Sequence, residues 1–368
     1  MRILHWTDHW RPLIGGVEVL VSHLAQEQAK RGHAVAVLTE HVLDSLPSHE
    51  NEGAVAIHRL PLSGALSSKD IGKIASVIRN LKTLFSEFKP DLVHLHSTNP
   101  SIWLHRLAGT IKTTPTIATV HTPLTHYGIP RAMMDQLWND VAWITCVSKA
   151  TRQELNAASP QTTAKSCVVL NGMPTPDPVN LDQPPSQPVV LCLGRLAPEK
   201  GFDLAIRAFT SWRKTHPQAT LWIAGDGPER ASLKSLAKEL HPEDSYRFLG
   251  AVAPPKVPDL ISNVSFVVMP SVWAEPFGLV AVQAGQASRP VIASDIGGLP
   301  EIVQHRKTGL LFPAGDQVAL TAAGETLLRD PQLSASLGRA AQDRVGTHFS
   351  MKACTDNYDK VYASLDLE

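Results

Sequence analysis

The chain carries no surplus of either charge, with 34 Lys and Arg against 34 Asp and Glu. Nucleic-acid binders normally advertise a basic excess, so that class is excluded, and any bound anion must be held by local geometry. No run of about 18 residues escapes polar interruption, which leaves no transmembrane helix to expect. The opening residues, MRILHW, lack a signal-peptide pattern and read as a strand. Cysteine is scarce: Cys146, Cys167, Cys192 and Cys354 stand singly, with no CxxC pair. That spacing excludes a disulfide framework and a cysteine metal site, and points to buried free thiols and a cytoplasmic protein. Short internal repeats and low-complexity tracts are absent too.

What is present is globular. The chain has 368 residues, 43% hydrophobic and 18% charged, enough apolar material for two cores. Short apolar runs at 2–6, 34–39, 55–60, 91–96, 116–120, 143–147 and 166–170 read as strands. Helical patterns at 16–31, 69–88, 100–112, 131–140 and 148–157 alternate with them. Residues 172–188, GMPTPDPVNLDQPPSQP, then break the pattern with six prolines, as a stiff linker does. Alternation resumes with strands at 189–193, 219–224, 246–249, 265–269, 290–294 and 309–312. Their helices fall at 200–215, 228–240, 256–262, 277–287, 299–304 and 316–328, and the tail is mostly helical. Strands alternating with helices give parallel sheets covered on both faces. The expected architecture is α/β: two doubly wound, Rossmann-like domains facing a central cleft. Residues 1–171 form the first domain and 189–349 the second. Residues 350–368 form a terminal helix able to cross back to the first. Open α/β sheets bind ligands beyond the carboxyl ends of their strands, so the chemistry belongs on the loops there.

Two such loops stand out. Gly194–Gly201, GRLAPEKG, follows the strand VVLCL and opens a helix. Arg195 and Lys200 would lie beside helix N–H groups, a combination suited to a diphosphate, though a cationic pair on a solvated loop reads equally well. The Walker A spacing fails. Pro270–Leu279, PSVWAEPFGL, likewise follows a buried strand and opens a helix. Pro276 suits the first turn, leaving the amides of Phe277, Gly278 and Leu279 as free donors. Glu275 either accepts hydrogen bonds from sugar hydroxyls or serves the helix dipole. Gly15–Gly16 and Gly297–Gly298 also follow strands; either pair suits backbone approach to a ligand or a tight βα turn.

These motifs, with VHTP at 120–123, NGMP at 171–174, AGDGPE at 224–229, EPFG at 275–278 and GGLPEIV at 297–303, resemble the retaining glycosyltransferase family 4, of GT-B fold. The resemblance covers nearly the whole chain. It implies that a sugar moves from a nucleotide diphosphate, with UDP the favoured nucleotide, to a hydroxyl of a glycan, lipid or small molecule. It implies donor binding by Gly16, Arg195, Lys200, Phe248, Val252, Glu275, Phe277, Gly278, Leu279 and Gln283. It places His121 over the reacting sugar carbon and gives catalytic weight to His121, Arg195, Lys200 and Glu275. One departure matters: at the spacing of the family's second glutamate stands Gln283, which keeps hydrogen bonding but loses charge. No Asp-x-Asp occurs anywhere, so no divalent ion and no cofactor is expected, and cations with helix N-termini must carry the diphosphate.

Among 16 histidines, His94 and His96 share one strand face. A metal reading lacks a completing carboxylate or cysteine. His9, His96 and His126 are placed on the acceptor side. Helix 69–88 carries an apolar stripe flanked by Lys69, Lys73, Arg79, Lys82 and Lys89, which reads as a sheet-covering helix or as a peripheral membrane contact. Two rival functions share the fold: a sugar-nucleotide epimerase, and a non-catalytic nucleotide-sugar-binding protein encouraged only by Gln283.

Overall fold

The computed structural model describes residues 1–12, 15–96, 101–122, 131–175, 185 and 187–365. The chain divides into two compact units: Met1–Pro174 together with Met351–Glu368, and Thr175–Ser350.

The first unit is built on eight strands: β1 (Arg2–Trp6), β2 (Ala34–Glu40), β3 (His49–Glu52), β4 (Val55–Leu60), β5 (Leu92–Leu95), β6 (Thr116–Val120), β7 (Trp143–Cys146) and β8 (Ser166–Val168). Their order is β3-β4-β2-β1-β5-β6-β7-β8, parallel except for the β3–β4 pair. The central strands are buried along almost their whole length, as strands covered by helices on both faces must be. Strand β3, HENE, was not legible in the sequence. It is a polar, largely exposed edge strand with no apolar alternation to mark it. The short helix Leu62–Ser68 was also missed, because its Ser- and Gly-rich sequence has little helical propensity. The helical pattern expected at 100–112 is split. Helix Ile102–Leu107 ends at Gly109, which adopts φ 78°, and a single turn follows at Thr110–Lys112.

Helix Ile71–Phe88 starts at Asp70, whose carboxylate accepts from the amides of Gly72 and Lys73 at 2.8 and 3.2 Å. Its stripe Val77, Leu81, Leu84 and Phe85 is buried in the core, while Ile71 is 82% exposed. The apolar face is thus already committed to covering the sheet.

Helix Met351–Ala363 completes this unit. Cys354, Tyr358 and Tyr362 bury with Ile3, Leu20, Leu24, Leu92 and Ile117. Fully burying each such apolar side chain contributes about 1.5–3 kcal/mol. Arg31 anchors the helix from the opposite end of the sequence, 2.7 Å from both Asp356 and Asp359. Nearby, the amide of Met351 donates to the carbonyl of Met173 at 2.9 Å. Gly172 and Met173, the start of the expected linker, are buried here, and its residues 176–184 and 186 lie outside the described residues.

The second unit has six parallel strands: β9 (Val189–Leu193), β10 (Thr220–Ala224), β11 (Tyr246–Gly250), β12 (Phe266–Met269), β13 (Val291–Ser294) and β14 (Gly309–Phe312). The order is β11-β10-β9-β12-β13-β14. From β9 the chain first adds strands on one side, then returns to add β12 on the other. The sheet therefore has its topological switch point between β9 and β12, where ligands of such sheets bind. In the first unit the same reversal falls between β1 and β5.

Candidate active site

The switch point of the second unit brings together the two loops that the sequence singled out. Beyond β9, the amide of Gly194 donates to the carbonyl of Ala224, and that of Leu196 to Asp226, at 3.0 and 2.9 Å. This ties the loop to its neighbour after β10. Residues Pro198–Lys200 make one tight turn, and Gly201, at φ 62°, starts helix Phe202–Thr215. A Cβ at Gly201 would overlap the carbonyl of Pro270, so only glycine lets the β12 loop come this close. The amide of Val272 then donates to the carbonyl of Glu199 at 3.0 Å, joining the two loops.

The result is an ion pair between residues far apart in sequence. Lys200 Nζ lies 2.8 Å from both carboxylate oxygens of Glu275. Ser271 donates its hydroxyl to Glu275 Oε2 at 3.1 Å, and Lys200 also lies 5.9 Å from the ring centre of Trp273. The two side chains are 22% and 13% exposed, so they are partly sheltered but reachable. A third loop underlies Glu275: Gly298 donates to its carbonyl at 2.7 Å, and a Cβ at Gly297 would overlap its backbone. Arg195 is 65% exposed and pairs with Glu199, one turn on. Burial pushes the Glu199 carboxyl up, but hydrogen bonds from Arg195 and the backbone, with the charges of Arg195 and Lys200, outweigh it and hold it below the usual carboxylate range.

Gly278 adopts φ 116° and opens helix Leu279–Gln286. Among the described residues, the amides of Phe277, Gly278 and Leu279 have no hydrogen-bond partner, as helix starts require when nothing caps them. The Phe277 ring itself is buried against Phe349, with centroids 5.8 Å apart, so Phe277 can offer its backbone and not its side chain. Gln283 is half-buried on the same helix. Phe248, on the edge strand β11, packs edge-on against Tyr246, and Val252 lies in the loop after that strand.

In the first unit, Gly16 opens helix Gly16–Lys30 after β1, and the Glu18 carboxylate folds back over Gly15 where a Cβ would be. His9 is exposed on the same loop. His126 lies outside the described residues. His121 follows β6 and is 9% exposed. Its Nε2 lies 3.1 Å from Nδ1 of His96, whose Nε2 lies 2.9 Å from Nδ1 of His5. Burial lowers the pKa of His121 to about 3 and that of His5 to about 4, the latter against a hydrogen bond to Gln28. Burial also pushes His94 and His96 well down.

His96 therefore has a different place from the one expected. It is 4% exposed and both its ring nitrogens are used inside the protein, leaving nothing with which to hold an acceptor. His5, His94 and His96 bring one nitrogen each within 4.8 Å of one another, a grouping of the size that holds a metal ion. Each of their six ring nitrogens already has a hydrogen-bond partner.

Ser271 and Trp273, which touch the Glu275–Lys200 pair, carry no signal in the sequence that marks them. His5, Gln28, Tyr358 and Tyr362 reach the histidines from β1 and two helices and were not singled out by the sequence. Alternation on β1 matches that on β5 and could have signalled His5; nothing local signalled the tyrosines.

Two Rossmann-like units, the second with a sheltered Lys–Glu pair at its switch point, form the architecture of the GT-B glycosyltransferases, and the chain's family matches agree. Residues 14–175 match the profile of Glycosyltransferase Family 4 and residues 176–344 that of Glycosyl transferases group 1. The chain belongs to the family 4 glycosyltransferases. It is 30% identical to the glycogen synthase of Mycobacterium tuberculosis, over 98% of this chain and 94% of the relative. Among solved structures, sucrose-phosphate synthase from Thermosynechococcus elongatus superposes with TM-score 0.82 at 23% identity, covering 99% of this chain and 98% of the other. Anabaena HepE in complex with UDP-glucose gives TM-score 0.78 at 21% identity, covering 98% and 99%.

Proposed function

We propose that this glycosyltransferase moves a hexose-type sugar from a UDP-sugar to a hydroxyl of a glycan, lipid or small molecule, with retained anomeric configuration and without a divalent ion. The observation that carries the reading is the Lys200–Glu275 pair beside the unpartnered amides of residues 277–279. An ammonium has three donors. Two serve Glu275, which leaves one for a phosphate oxygen. Glu275 keeps lone pairs free for sugar hydroxyls.

In this reading the diphosphate rests against Lys200 and Arg195, with the helix amides facing the phosphate next to the sugar. Negative charge grows on that phosphate as the glycosidic bond breaks, and preorganised N–H groups stabilise it without rearranging. The acceptor hydroxyl attacks on the same face and gives its proton to the leaving phosphate. Arg195 must first leave Glu199, an exposed pairing that costs little to break. The presence of UDP-glucose in the HepE structure and the glycan product named for the mycobacterial relative support donor and acceptor classes. Among the described residues no helix is long and apolar enough to cross a membrane, so a lipid acceptor would be met from the surface.

The test is a screen of UDP-, GDP- and ADP-sugars with pooled acceptors, reading released nucleoside diphosphate and product. Acceptor-dependent release with a UDP-sugar is expected. A new nucleotide-sugar without release would make the protein an epimerase, and tight binding without turnover would make it a binding protein.

A further inference from the structure

Behind His121 a buried chain of polar groups runs through β1 and β5 to the helix Met351–Ala363. His121 Nε2 meets His96 Nδ1 at 3.1 Å, His96 Nε2 meets His5 Nδ1 at 2.9 Å, and His5 Nε2 meets Gln28 Oε1 at 2.6 Å. Gln28 Nε2 donates to the Tyr362 hydroxyl at 3.1 Å, and that hydroxyl lies 2.8 Å from His94 Nδ1. His94 Nε2 lies 2.6 Å from Thr119 Oγ1, which is 2.6 Å from Thr145 Oγ1. His5, Gln28, His94 and Tyr362 are between 0% and 1% exposed, so water does not compete along the chain.

We propose that Gln28 and Tyr362 are positioning residues that fix which nitrogen of His121 carries its proton. A neutral imidazole has one N–H and one lone pair. Gln28 Oε1 can only accept, so His5 holds its proton on Nε2 and accepts at Nδ1. His96 must then donate from Nε2 and accept at Nδ1. His121 must donate from Nε2, and its Nδ1 is left as a lone pair. On the other branch, Tyr362 accepts from Gln28 and donates to His94 Nδ1, so His94 donates from Nε2 to Thr119. Either orientation of the Gln28 amide satisfies every link, so this one side chain sets the direction of the whole chain, and the orientation seen here is the one given above. Turning that amide over would reverse every link and put the His121 proton on Nδ1. All four rings stay neutral near neutral pH, since burial pushes each of them down.

Among the described residues His121 Nδ1 has no partner. An unprotonated Nδ1 accepts a hydrogen bond from a hydroxyl and repels a phosphate oxygen. This rests on the reading of His121 as a residue of the sugar site: it makes the group facing it a hydroxyl of one of the sugars. The chain also explains the histidine grouping without a metal, because an ion there would break hydrogen bonds at every ring it touched.

The test uses the full chain labelled with 15N-histidine, with His121 assigned by the signals lost in His121→Asn. Long-range proton–nitrogen correlation spectra at neutral pH report the tautomer directly. The expected result is Nε2–H for His121, His96 and His5. An Nδ1–H His121 overturns the proposal. In Gln28→Met, His121 should become a mixture of tautomers, and kcat should fall about tenfold or more with the donor KM within about twofold, as misset imidazole tautomers do elsewhere. Tyr362→Phe, which frees the amide to turn, should do the same if Gln28→Met does not fold. A folded variant in which His121 keeps Nε2–H shows that these residues only pack. The tautomer is read without activity. If His121→Ala keeps full activity while the spectra match, the role of His121 fails and the chain stands.

Discussion

Lys200 and Glu275 stand 75 residues apart in sequence and meet through two hydrogen bonds of 2.8 Å, one to each carboxylate oxygen. Neither residue's loop reaches the other by itself. The meeting depends on Gly201 letting the Pro270 carbonyl approach, and on Gly297 and Gly298 supporting Glu275 from beneath. The pair is a product of the switch point, and it puts a cation and a hydrogen-bond acceptor side by side, which is what the proposed sugar-phosphate site rests on.

Replacing Lys200 with Ala removes the proposed phosphate donor and leaves Glu275 without its cation. The expected loss in kcat/KM is about 10²–10³-fold, the usual cost of one charge-stabilising donor. Stability should fall by about 1–2 kcal/mol, less than for a fully buried pair because both groups are partly exposed. Steady-state kinetics and urea unfolding of the same variant check both. A folded variant with near-normal kcat/KM would mean that the diphosphate is held elsewhere.

Gly297→Ala tests the support. The residue has φ 61° and no room for a Cβ over the Glu275 backbone, whereas Gly315, at φ 81°, has nothing within 4 Å. Gly315→Ala should cost about 1 kcal/mol, for backbone strain alone. Gly297→Ala should cost about 2–4 kcal/mol and reduce kcat/KM with it. Thermal unfolding of both variants decides; equal losses would show that the contact with Glu275 is not tight.

Acid should destabilise the first unit well before carboxylates titrate. Burial lowers His5 to about 4 and His105 and His121 to about 3, and lowers His94 and His96 strongly. Unfolded, each takes up a proton near 6.5, so the unfolded state binds more protons below that pH. Their contribution is fully present above about 6.5 and is lost as pH falls toward about 3–4, each ring contributing ~1.4 kcal/mol per pH unit. Urea unfolding followed from about pH 7.5 to 5 should show a slope of several protons. A flat profile would show that these rings are accessible to protons in the folded state.

Activity should survive chelation. The proposed site neutralises the diphosphate with Lys200, Arg195 and helix amides, and needs no ion. Turnover measured after exhaustive EDTA treatment should stay within about twofold of the untreated enzyme. Complete loss restored by manganese or magnesium would overturn this part of the proposal.

The βα rhythm was legible because buried parallel strands are written as unbroken apolar runs, such as VVLCL and FVVM. Strand β3 was not, because an exposed edge needs no apolar code. The loops around Lys200 and Glu275 were legible through their glycines and prolines, since special backbone angles restrict residue choice. The pairing of those two side chains was not, as it depends on strand order and not on local spacing. His96 was misplaced for a related reason. Alternation tells which face of β5 it shares with His94, but not that His5 and His121 close over it.

Tyr358 and Tyr362, near the chain's end, fill the core formed by Ile3, Leu20 and Leu92. During synthesis, residues 1–174 therefore emerge without the helix that seals them, while residues 175–350 form a contiguous unit able to fold first. The histidine side of the first unit can close only after Met351–Ala363 has been made, so a chain truncated before Met351 should hold a complete second unit and an unsealed first.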